Sequence, residues 1–89
     1  MLTEVTFRRK KYKLIITQHA LERMAQRDIP RSIVQEIIET GKSKAKKKPG
    51  KWWVYKKIKG RKDNNVSLSI SIEEPHLIVI TTLVDWRPK

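Results

Sequence analysis

His19, Arg23 and Arg27 recur at four-residue intervals in the stretch Ile15–Arg27, which reads I-I-T-Q-H-A-L-E-R-M-A-Q-R. On a helix that spacing makes one slowly drifting stripe. An imidazole can take and give a proton near neutral pH, and guanidiniums hold phosphate oxygens two at a time. The stripe would begin in a first helical turn, where unpaired backbone N–H groups and the helix dipole attract anions. Together these features describe a place for a phosphate. The same residues also have plainer uses. His19 can be a hydrogen-bonding first-turn residue, and Arg23 and Arg27 can form a solvated face that pairs with Glu22 or Asp28.

A second group is defined by charge. Between Lys42 and Lys62 stand eleven Lys or Arg and no Asp or Glu. Cations at that density repel one another, and the run is best explained if an anion lies against it. Lys44, Lys46, Lys47, Lys48, Lys51, Lys57 and Lys62 are therefore candidate nucleic-acid contacts. Trp52 and Trp53 are interleaved among them, with flat surfaces on which bases can stack. Core packing is the alternative for the tryptophans, and it is expected to hold for at least one of them.

The elements that would position these groups follow from periodicity. Residues 1–10 read as a frayed end or an edge strand, and Tyr12–Ile16 as a strand. Thr17 is the expected N-cap of a helix from Gln18 to about Arg27, with Ala20, Leu21, Met24 and Ala25 packing inward. Asp28-Ile29-Pro30 breaks it. A second helix, about Pro30 to Thr40, carries the apolar stripe Ile33, Val34, Ile37 and Ile38, and Gly41 is its expected stop. Residues 42–51 have no apolar period and read as a mobile basic loop. Trp52–Ile58, Val66–Ile72 and Leu77–Val84 read as strands, the second with serines 67, 69 and 71 on its polar side. His76 is expected in an exposed turn, and Trp86 and Arg87 in a tail folding back over the sheet. The result is a single α+β domain spanning 1–89, strand-helix-helix-strand-strand-strand, with two helices on a small antiparallel sheet.

Composition narrows the function. The chain has 89 residues and a formal charge of +12, from 21 Lys plus Arg against nine Asp plus Glu. Nucleic acid is the first partner such a balance suggests, an acidic protein the second and an anionic membrane the third. The basic runs lack the bulky apolar face that membrane binding requires. With no cysteine and two widely separated histidines, neither disulfide nor metal site is expected, and no cofactor. No apolar run is long enough to span a bilayer, so the expected location is the cytoplasm.

The stretch Ile16–Pro30 closely resembles the motif T-x-H-A-x-x-R-M-x-x-R-x-I that opens a family of small bacterial proteins, the domain of unknown function 4258 family. Glu39-Thr40-Gly41, Tyr55, Gly60-Arg61 and Ile80-Thr81-Thr82 fit the rest of its layout. The resemblance implies a fold related to the RelE- and BrnT-like ribonuclease toxins, with helices against a curved antiparallel sheet. It also implies an active face carrying His19, Arg23, Arg27, Tyr55 and Arg61.

Three functions are then in play. The first is a metal-independent endoribonuclease of toxin–antitoxin type, covered when idle by an acidic antitoxin. The second is a non-catalytic nucleic-acid-binding module using the same basic face. The third is a basic adaptor that docks an acidic protein only.

Overall fold

The computed structural model describes residues 3–58 and 65–84. Its elements in chain order are β1 (Thr3–Phe7), β2 (Lys10–Ile16), α1 (Gln18–Gln26), α2 (Arg31–Thr40), β3 (Lys42–Ala45), β4 (Lys51–Lys57), β5 (Asn65–Glu73) and β6 (His76–Val84). The six strands form one sheet in the order β1-β2-β6-β5-β4-β3. The architecture is the α+β arrangement expected, with two helices between the first strands and the last. No helix among the described residues is long and apolar enough to cross a membrane.

Two features depart from the expectation, and another decides between alternatives it left open. Residues 42–51 are not a loose loop: β3 pairs antiparallel with β4, Lys44 opposite Trp53 and Lys42 opposite Tyr55. The rest of the segment is tied down by Lys46 N–H on the Lys51 carbonyl and by Ile72 N–H on the Gly50 carbonyl. Periodicity could not show this, because Lys-Ser-Lys-Ala is an edge strand with almost no apolar content, the composition that keeps sheet edges from pairing with other chains. Second, of the frayed end and the edge strand expected at the N-terminus, residues 3–7 form the edge strand, joined to β2 by a two-residue turn. Arg8 and Arg9 there take positive φ of 52° and 70°, the conformation such tight hairpins require. Third, the sheet is mixed. β2 runs parallel to β6, with Leu14 opposite Leu77 and Ile16 opposite Val79. Parallel neighbours need a long connection, and both helices and three strands supply it.

Thr17 caps α1 as its position suggests: its hydroxyl accepts from Ala20 N–H at 3.1 Å and donates to the Ile80 carbonyl at 3.0 Å. Ala20 and Met24, four apart, are the buried stripe. Leu21 and Ala25 were expected inward, but they stand about 100° further round the helix. Leu21 is 40% exposed, and Ala25 is exposed too. The helix ends in a Schellman arrangement, with Ile29 N–H on the Met24 carbonyl and Asp28 N–H on that of Ala25. Asp28, at φ 54°, takes the left-handed place usually given to glycine. α2 begins after an N-cap Pro30 and buries Val34, Ile37 and Ile38.

Gly41 ends α2, but not through a left-handed conformation, since its φ is −78°. A Cβ there would lie 2.5 Å from the Ile37 carbonyl oxygen and 2.7 Å from that of Tyr55. Glycine is needed because the backbones of α2 and β4 touch.

One apolar core joins the helices to one face of the sheet. Val54, Leu68, Ile70, Leu77 and Val79 meet Ala20, Met24, Val34 and Ile37 there. Lys56 shares that face, its ammonium 3.0 Å from Glu36 and 2.7 Å from the Thr40 hydroxyl of α2. The pleat therefore turns Lys51, Trp53 and Tyr55 to the opposite face, which neither helix covers. A β-bulge between Ser69 and Ile70 shifts the register from Ser69–Thr81 to Ile70–Val79 and leaves Ile80 as the extra residue.

Candidate nucleic-acid interface

The helical stripe is graded in exposure. His19 is exposed in the first turn of α1, beside the capped N-terminus. Arg23 is half-buried and its Nη1 donates to Gln26 Oε1 at 3.3 Å. Arg27, also half-buried, donates through Nη1 to the Thr82 carbonyl at 2.6 Å. β2 pairs with β6 only as far as Val79, and beyond it Thr17 and Arg27 tie α1 to the next stretch of β6. Part of the stripe's charge is thus used to position the helix. The groups of the stripe that present themselves to a phosphate are His19 and Arg23.

Tyr55 does not join them. It stands on the sheet face opposite the core into which Ala20 and Met24 pack. Arg61, the fifth residue of the expected active face, lies outside the described residues, as do Lys62, Trp86 and Arg87. His76 is half-buried at the start of β6 and not in an exposed turn.

The lysine-rich run divides by face. Lys44, Lys47, Lys48 and Lys57 are exposed. Trp52 lies on the helix side, where Phe7 meets its ring edge-on at 5.5 Å between centroids and the Arg8 guanidinium lies 4.8 Å from it. Its expected role as a stacking surface gives way to packing. Trp53 lies on the face turned away from the helices, with the Lys46 ammonium 3.9 Å from its ring centroid, a cation–π contact. That ammonium also donates to Ser69 Oγ, and Lys51 donates to Ser71 Oγ at 2.6 Å. Partial burial, reinforced by the neighbouring charge of Lys51, holds the Lys46 amine below its ordinary range.

The serines are what sequence reasoning missed. They alternate as expected but are not solvated: Ser67, Ser69 and Ser71 are 0%, 5% and 1% exposed. β5 lies inside the sheet, and long side chains from its neighbours close over the small ones. Their relation to the lysines appears only with the register, which sets Ser71 against Lys51, Ser69 against Trp53 and Ser67 against Tyr55. Among the described residues no three His, Cys, Asp or Glu side chains converge as a metal site would require.

No curated protein and no solved structure gives a significant match to this sequence. Residues 16–84, which run from the residue before the capping threonine through the last strand, match the family model described as Domain of unknown function (DUF4258). The chain belongs to that family.

Proposed function

We propose that this protein binds RNA and cleaves it without a metal ion, in the manner of the RelE- and BrnT-like ribonuclease toxins. The observation that carries RNA binding is the folding of the lysine run onto a sheet face that also presents Trp53 and Tyr55. Flat rings among fixed cations suit bases joined by phosphates, whereas an acidic protein would need only the charge.

Cleavage rests on α1. The RNA 2′-oxygen attacks the adjacent phosphorus while His19 takes its proton. The bond to the 5′-oxygen breaks, and the same imidazole returns the proton to that oxygen, leaving a 2′,3′-cyclic phosphate and a 5′-hydroxyl. Arg23 and Arg27 balance charge on the phosphorane. Between rounds, an acidic antitoxin would find its complement in the net charge of +12.

The separation of Tyr55 from His19 by the sheet favours a second reading, RNA binding without cleavage. Labelled RNA incubated with the protein in EDTA separates the two. Cleavage that is lost in His19→Ala supports the nuclease. Retention of RNA, intact with both proteins, supports the binding module.

A further inference from the structure

The sheet face turned away from the helices has an order that the composition of its strands does not suggest. Across β3, β4 and β5 the registers align Lys42, Tyr55 and Ser67 in one row and Lys44, Trp53 and Ser69 in the next. Each row runs cation, aromatic ring, hydroxyl. The rows lie two residues apart along the strands, about 7 Å. Lys46 and Lys51 lie over the second row and its margin, their ammoniums on Ser69 and Ser71.

We infer that this face is a platform for single-stranded RNA, with successive bases stacked at Trp53 and Tyr55 and a backbone phosphate held at Lys46 and Ser69. The inference rests on the RNA-binding reading above and gives it a place and a substrate class.

Three observations carry it. First, the part of the face formed by β3, β4 and β5 is polar, the aliphatic Ile78 and Leu83 standing beyond it on β6, opposite Ser71 and Ser67. Here β5 presents three buried serines where valine or isoleucine would be the ordinary choice. Buried hydroxyls are costly without hydrogen-bond partners, and two of these are met by lysine ammoniums. A hydroxyl that accepts from an ammonium still has its own proton to donate. Ser71 Oγ is aimed at Glu73 Oε2, 3.5 Å away, so a carboxylate already occupies that end. The anion is therefore placed at Ser69.

Second, the aromatic pair stands between cations on the β3 edge and hydroxyls on β5. Trp53 and Tyr55 are both partly exposed. A duplex hides its base faces within its own stack, so rings can reach bases only in an unpaired strand. Third, the Lys46 amine is depressed by burial first and by repulsion from Lys51 second, their ammoniums standing on neighbouring serines of β5. A bound phosphate would relieve it.

The test is equilibrium binding of a dye-labelled RNA with 2′-O-methyl groups, which 2′-oxygen attack cannot cleave, as a single strand and as a blunt duplex. The wild type should bind the single strand at least tenfold more tightly. Trp53→Leu should weaken single-strand binding by roughly 5- to 100-fold and leave duplex binding nearly unchanged. Trp53→Phe, which keeps a ring, should recover most of the loss, and circular dichroism melting of both variants shows that the fold is intact. Lys46→Met should also weaken binding. Equal affinity for the two RNAs, or a Trp53→Leu protein that binds the single strand like the parent, would overturn the platform while leaving RNA binding in place. No binding of either RNA by the wild type would overturn RNA binding itself and the platform with it.

Discussion

Helix α1 and the sheet face turned away from the helices are both basic, and they are built in opposite ways. On α1 the cations lie four residues apart on one element, and their spacing is set by the helix itself. On the sheet face the partners come from separate strands, Lys46 and Ser69 being 23 positions apart. The helical stripe spends part of its charge on its own scaffold, through Arg27 on the Thr82 carbonyl. The sheet face holds its lysines on hydroxyls and a ring, contacts that an anionic ligand can share. The contrast suggests a division of labour, with grip on the sheet and proton transfer on the helix.

The largest effect should come from the close approach of α2 to β4, the strand that carries Trp53 and Tyr55. Gly41→Ala would push a methyl group into two backbone carbonyls, and neither can move without separating α2 from β4. A loss of about 3 kcal/mol is expected by urea denaturation. Next, Arg27→Met removes a charge-assisted hydrogen bond to the β6 backbone and should cost about 2 kcal/mol, with affinity for uncleavable RNA little changed. Lys46→Met should show the reverse pattern, weak RNA binding and near-parental stability. If both variants lost stability and binding together, the division between the regions would fail. A smaller effect, of opposite sign, is expected at Thr82, whose buried hydroxyl has no hydrogen-bond partner among the described residues. Thr82→Val keeps the shape and should stabilise the fold by about 1 kcal/mol, read as a higher melting temperature.

The smallest effect is in pH dependence. Lys46 faces Lys51, Ser69 and Trp53, with Glu73 beyond Ser71. Its amine is held below 10.5 in the free protein by burial first and by Lys51 second. A bound phosphate favours the ammonium and raises that pKa again, so binding takes up a proton in the window between the two values. Affinity should therefore decline as pH rises through the lowered pKa. Lys46→Arg, whose charge does not titrate there, should flatten that decline.

How much could be read from the chain follows the same contrast. The Thr17 cap, the break at Asp28–Pro30, the buried face of α2 and the alternation in β5 depend on neighbours in sequence, and each is where periodicity puts it. The outward turn of Leu21 was not readable, because two adjacent apolar pairs fit one helix and only the packing against β6 selects Ala20 and Met24. β3 was hidden by its lysines, and the parallel pairing of β2 with β6 by the 59 intervening residues (76 minus 16, less one). The His19–Arg23–Arg27 stripe was legible for the reason that made α1 legible. The serine–lysine–aromatic rows were not, since alternation says that Ser69 faces away from Leu68 but not that Trp53 and Lys46 meet it there.

The most direct test of the account is the salt dependence of RNA binding by the wild type beside a variant with both Lys46→Met and Lys51→Met. The logarithm of the binding constant should fall linearly with the logarithm of salt concentration, and removing both cations beside the one bound phosphate should reduce the slope by about 0.7 for a single strand. A wild type that does not retain RNA at physiological salt, or a double variant with an unchanged slope, would contradict it.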